Sequence, residues 1–403
     1  MGLRPHFSFM AETSRKLVPL EGLRGIAAAI VVLYHLVLGF TAQGVNLVPH
    51  GHGAFDLLTQ FGLGLLNGGA AVSVFFVLSG FILSLPFARD RRFARVLVAT
   101  LKRWPRLALV TVIACLFAYA LILWSGHDYK RAAALSGAGW MASHGNSPIE
   151  HRHLSWAGAV HEGLVAVFTQ GEVRFDSPLW TMRIELFCSF AIFLVAPALF
   201  AIRSWAARLS LVALVVLAAG TSFPQTRFSD FLAGTVLAML FAEGRLPSIR
   251  KRVAAPLGLL ALYLFSFTYE QNLLIHAPLK AILPPGDSAH FVWDAGAVLT
   301  ILLLLGNPAL HRAFSGIWAA WLGLLSFPIY LLHGPIMLTV GARSQVAVAG
   351  KLGVHGGEIL AALVTITLTL ACAVPLAWVD QGWTKMLGAV TRPLLTKKEE
   401  AAV

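Results

Sequence analysis

Apolar runs long enough to cross a lipid bilayer recur along almost the whole 403-residue chain. A spanning helix needs about 20 mostly apolar residues, since a rise of about 1.5 Å per residue then matches a hydrocarbon core about 30 Å thick. Ten segments fit this description: residues 20–40, 69–87, 106–125, 183–202, 209–222, 228–243, 253–270, 291–305, 319–340 and 359–380. The fifth and sixth are short and are parted only by Phe223 to Arg227, so they read as a tight hairpin or as one broken element. Composition points the same way. Hydrophobic residues make up 57% of the chain and charged residues 12%, whereas a soluble chain carries about 25% charged residues to cover its surface. A soluble fold and a disordered chain are both excluded. The expected fold class is an all-α integral membrane protein of about ten transmembrane helices. The first run carries Arg24 and His35 and lacks a small-residue cleavage site, so it reads as a retained span and not a removed leader.

The net charge of +12 would suggest nucleic acid in a soluble protein. In a membrane protein, Lys and Arg collect in cytoplasmic loops. If ten spans alternate from a cytoplasmic N-terminus, about two-thirds of the 31 Lys and Arg fall on the inner side. Both termini are therefore expected in the cytoplasm, the lipid bilayer is the expected partner, and no nucleic acid is needed. The organisation reads as a cytoplasmic segment 1–18, a transmembrane domain 19–381 with an outer loop at about 126–179, and a cytoplasmic tail 382–403. The outer loop carries His127, His144, His151, His153 and His161, and the loop Thr41 to Asn67 between the first two spans carries His50 and His52. The three cysteines, Cys115, Cys188 and Cys372, sit in apolar runs with no Cys-x-x-Cys pattern, so no disulfide framework or metal is expected.

Ionisable groups inside spans are costly, and each is a functional candidate. Arg24 and His35 are eleven positions apart. At about 100° per residue they lie within ~20° of one helical face, separated by ~16 Å along the axis. One face thus presents a cation low and an imidazole high. The same pair would also fit an arginine snorkelling to the interface and a histidine bonded to a neighbouring helix. In Ser177-Pro178-Leu179-Trp180-Thr181-Met182-Arg183-Ile184-Glu185, Pro178 and Trp180 fit a helix entering at the aromatic belt. Glu185 does not face Arg183 two positions away, so another partner is expected, with a histidine of the first span as candidate. A carboxylate beside an imidazole would fix its tautomer for general-base work. In Phe75-Phe76-Val77-Leu78-Ser79-Gly80-Phe81, Ser79 and Gly80 fit close helix packing or a polar contribution to a site. Ser326-Phe327-Pro328-Ile329-Tyr330-Leu331-Leu332-His333-Gly334-Pro335 is broken by two prolines, as happens where a helix lines a cavity. The dense basic stretch Arg89 to Arg106, read as an inner loop, fits the positive-inside pattern or an anchor for phosphate.

Together and in this order, these segments resemble the membrane-bound acyltransferase-3 family of O-acyltransferases. The carrying residues are Leu20-Glu21-Gly22-Leu23-Arg24-Gly25 through His35, Phe75 to Phe81, Pro178 to Phe187, and Tyr330-Leu331-Leu332-His333-Gly334-Pro335. The family usually has Asp at the position of Glu21, a smaller polar pattern at Thr181 and Arg183, and a proline after the second arginine of the pair Arg103 and Arg106. The resemblance implies transfer of an acyl group, with acetyl expected, from cytoplasmic acyl-CoA to a hydroxyl of a carbohydrate or glycolipid acceptor, in the bacterial inner membrane. It implies His35 as base or covalent acyl carrier, Glu185 as its orienting group, and Arg24 with Arg103 and Arg106 toward the donor. Ser79 is also placed on the donor side, and Trp180, Tyr330 and His333 in the substrate pocket. The alternative is a secondary transporter or exporter of glycolipids or acylated molecules, in which the same ionisable residues form a proton relay.

Overall fold

The computed structural model describes residues 17–41, 65–90, 93–125, 128–145, 154–222, 227–267, 274–283 and 289–395. Among these residues the chain is helical with no strand. Ten of the described helices have 15 or more residues, and each overlaps one of the ten predicted apolar segments. They are α1 (Val18–Phe40), α2 (Gly68–Asp90), α3 (Phe93–Ser125), α4 (Trp180–Ala201), α5 (Trp205–Ser222), α6 (Phe228–Ala242), α7 (Lys251–Phe265), α8 (Ala289–Gly306), α9 (Ile317–Ile336) and α10 (Ala342–Thr391). Six described stretches are long and apolar enough to cross a membrane: α1, Gly68–Arg89, α3, Ser177–Ala201, α8 and Ile317–Thr391. The last contains α9 and α10. Within it a π turn at Met337–Gly341 ends α9, and Gly353 adopts φ 71°. That left-handed conformation suits a residue without Cβ. The chain reverses there, since Gly357 packs on Gln345 and Gly341 on Thr365.

α5 and α6 are separate apolar helices, and their apolar stretches, Trp205–Leu217 and Phe228–Ala242, are shorter than the six long ones. Arg227 precedes α6 in a left-handed conformation, φ 52°. The two halves of the predicted pair are therefore distinct elements. His50, His52, His127, His151, His153, Arg91, Arg92 and both chain ends lie outside the described residues.

Two helix contacts position the site. α1 and α9 run parallel: Gly22 meets Ala319, Gly25 meets Leu322, and Gly39 meets Met337. α2 and α6 run parallel at backbone contact, with Phe76 against Phe231, Ser84 against Thr235 and Arg89 over Phe241 in order along both helices. A Cβ at Gly80 would lie 2.0 Å from the Phe231 carbonyl oxygen, and one at Gly234 would lie 2.0 Å from that of Val77. Small residues permit such approach where water supplies no driving force between helices. Ser84 and Thr235 hydrogen-bond across the same seam at 2.8 Å. Gly80→Ala is expected to cost about 1–3 kcal/mol by overpacking, read as a lower unfolding midpoint in detergent. Gly258→Ala on α7 is the control, since a Cβ there meets nothing within 4 Å. Cys115 and Cys188 are buried in apolar clusters, as packing residues are.

Candidate active site

The first-span pair does share a face, and that face meets α9. Arg24 Nε donates to Ser326 Oγ at 3.0 Å, and its guanidinium also lies 3.5 Å from the Glu21 carboxylate. Eleven residues further along, His35 Nδ1 lies 3.0 Å from His333 Nε2. Ser326 and His333 are two helical turns apart on α9 and so repeat the same face.

The hydrogen bonds of His333 assign its protons. Its Nδ1 lies 2.7 Å from the Tyr330 carbonyl oxygen and 3.2 Å from that of Ile329. Carbonyl oxygens only accept, so Nδ1 carries the hydrogen. In the neutral ring Nε2 is then an acceptor, and His35 must donate to it through Nδ1. In the neutral ring of His35 the proton then sits on Nδ1, and Nε2 is the unprotonated nitrogen. The ring of His35 also packs against Trp140, with centroids 5.3 Å apart. His333 is fully buried, whereas His35 is half-buried. The arrangement orients one imidazole by another and leaves a basic nitrogen at the less buried ring.

Glu185 has a different partner from the one expected. Its Oε1 accepts from Ser79 Oγ at 2.7 Å and forms an ion pair with Arg103 Nη2. Arg103 Nε donates to Ser189 Oγ at 2.8 Å. The expected contact between Glu185 and His35 is therefore replaced by Glu185–Arg103, and His333 takes the orienting position. Arg103 and Arg106 are not loop residues. α3 begins at Phe93, so they sit about 15–20 Å along a helix, and Arg103 is buried. Its charge needs a partner there, and Glu185 is the carboxylate within reach. Arg183 is exposed and lies over the ring of Phe187.

Arg24, Arg103, Arg106, Ser79, Glu185 and Tyr330 line one cavity of about 220 Å³. Phe75 and Tyr330 form part of its wall, with ring centroids 5.6 Å apart. His333 lies 6.0 Å from the Tyr330 ring, centroid to centroid. The histidine pair thus adjoins the cavity behind Tyr330. The Tyr330 hydroxyl donates to the Pro178 carbonyl at 3.0 Å and contacts Thr181 Oγ1 at 3.1 Å. Trp180 is a correction: it is exposed on the outside of α4, and its neighbour Thr181 faces the cavity instead. A second cavity, of about 390 Å³, is lined by Arg89 and Arg95 and shares Ile82 with the first.

Sequence reasoning missed Ser189, Ser326 and Thr181. Helical spacing carried the signal for two of them: Ser189 is one turn from Glu185, and Ser326 two turns from His333. It also missed two buried acids in the segment before α4. Glu162 Oε1 accepts from the Phe175 amide at 3.0 Å, yet burial pushes this carboxyl up to about 7. Asp176 is fully buried against Gly334, and burial raises its carboxyl well above the usual range.

The family model described as an acyltransferase domain, acyltransferase-3, matches residues 18–378. The chain is also similar to the O-acetyltransferase PaAT-1 of Phomopsis amygdali, with 24% identity over 392 residues, covering 84% of this chain and 76% of the relative. No solved structure matches. The matched region contains every residue of the cavity and all the long helices but the end of α10, and the chain therefore belongs to the acyltransferase-3 family, as a multi-pass membrane O-acyltransferase.

Proposed function

We propose that the chain transfers an acyl group, acetyl in the first instance, from acyl-CoA to a hydroxyl of a carbohydrate-type acceptor such as a cell-surface or exported polysaccharide. The observation that carries this reading is the His35–His333 pair, oriented by the Tyr330 carbonyl, beside a cavity lined by three arginines. His35 Nε2 takes the proton of the acceptor hydroxyl. The hydroxyl oxygen bonds to the thioester carbonyl carbon, the carbon–sulfur bond breaks, and the departing thiolate takes the proton from the imidazolium. His333 accepts the Nδ1 hydrogen bond throughout and holds the base in one tautomer. Arg24, Arg103 and Arg106 favour an anionic donor, and Arg89 and Arg95 at the adjoining cavity suit its phosphates. In this reading the ten helices all span the bacterial inner membrane, both termini are cytoplasmic, and donor and acceptor enter from opposite sides. The acceptor class rests on the shared family and on the printed activity of the relative, an O-acetyltransferase.

Membranes containing the protein, supplied with radiolabelled acetyl-CoA and surface glycan, test this. Label is expected on a glycan ester that mild alkali releases. A transporter would leave the glycan unlabelled, and that result overturns the reading.

A further inference from the structure

Away from this cavity, three buried side chains converge where α2, α6 and α8 meet. They are Asp230 on α6 and His290 and Asp294 on α8, and each offers one ligand atom within 4.8 Å of the other two. Asp230 is fully buried, and His290 and Asp294 are 6% and 7% exposed. His290 and Asp294 are four positions apart, so one helical face presents both.

Charge at this point is incompletely offset by protein. Arg227 pairs with Asp230, at 2.8 Å from Nη2 and 3.0 Å from Nε to Oδ2. It also donates to Ser73. Ser229 Oγ reaches Asp294 Oδ2 at 3.4 Å and Asp230 Oδ1 at 3.3 Å. Asp294 Oδ1, in contrast, is buried with no hydrogen-bond donor. One arginine faces two carboxylates. A buried carboxylate oxygen without a donor loses its water and gains nothing in return.

We propose that Asp230, His290 and Asp294 form a divalent metal site. One imidazole nitrogen and two carboxylate oxygens suit Zn²⁺, which takes such mixed sets and leaves a fourth position for water. The site ties α6 to α8 across Ser73 of α2. Arg227 links it to the cavity wall, because its guanidinium lies 5.6 Å from the centre of the Phe76 ring and Phe76 lines the cavity. The sequence reading expects no metal on the cysteine pattern alone; His290-x-x-x-Asp294 gains its third ligand only when α6 is packed beside it. A proton shared by the two carboxylates is the competing occupant of the same space.

The test uses the full chain, purified in detergent, stripped with a chelator and titrated with Co²⁺ and then Zn²⁺. About one Co²⁺ per chain is expected, with visible ligand-field bands that Zn²⁺ displaces and a higher unfolding midpoint once loaded. His290→Gln and Asp294→Asn are each expected to weaken binding by about 100-fold or more. His355→Gln, at an exposed histidine, leaves it unchanged. Absence of stoichiometric binding in the wild-type protein overturns the proposal in favour of the shared proton, and so does binding that survives in a folded His290→Gln variant. These readouts do not depend on acyl transfer.

Discussion

His35→Ala is expected to lower acyl transfer by about 10²–10⁴-fold, the range that a positioned base contributes. The half-buried ring packs against Trp140 and bonds His333, so the variant still inserts and folds, with a modest loss of stability. Radiolabel transfer, normalised to protein in the membrane, measures the loss. Near-normal transfer in this variant would overturn the mechanism. His333→Phe separates positioning from base chemistry. It keeps the aromatic volume and removes the acceptor for His35 Nδ1, so kcat falls while KM for the donor stays, because His333 does not line the cavity.

Arg103→Ala carries the second large effect. Arg103 and Glu185 pair with side chains only 8% and 12% exposed. Deleting the cation leaves the carboxylate with Ser79 as its remaining side-chain donor, and breaking such a buried pair from one side costs about 3–5 kcal/mol. The unfolding midpoint in detergent is expected to fall accordingly. Glu185→Gln in the same background recovers most of the loss, since the amide needs no cation. Arg103→Lys does not, because a single ammonium cannot reach Ser189 and Glu185 through separate nitrogens as the guanidinium does. An unchanged midpoint in Arg103→Ala would remove the ion pair from the account of what holds α3 to α4.

The parts of this site legible in the sequence are those whose geometry lies within one helix. Arg24 and His35 share a face by arithmetic on 3.6 residues per turn. The close contact at Gly80 follows from residue size. Glu185 was identifiable as an acid inside a span, but its partner was not, because Arg103 lies 82 positions away in a stretch whose charge also fits a cytoplasmic loop. The start of α3 at Phe93 decides that question, and only folding reveals it. Trp180 fails for a related reason. The interfacial aromatic and the pocket residue are adjacent in sequence, about 100° apart on the helix, and the rotation of α4 assigns one to the surface and the other to the cavity. The ten apolar segments were each recognisable as helix, and the separation of α5 from α6 follows from the left-handed turn at Arg227.

The Tyr330 hydroxyl has a consequence for the membrane itself. Arginines, a carboxylate and two imidazoles strung through an apolar bundle approach the makings of a proton wire, which would leak protons across a bilayer. A wire needs each hydroxyl to pass on the hydrogen it receives. Tyr330, between the cavity and the histidines, directs its hydrogen to the Pro178 carbonyl, which has none to hand back. Its ring meets that of Phe75 edge to face, with centroids 5.6 Å apart. A hydroxyl relay through Tyr330 thus ends at a carbonyl, and the base stays beside the cavity without a proton path through this residue.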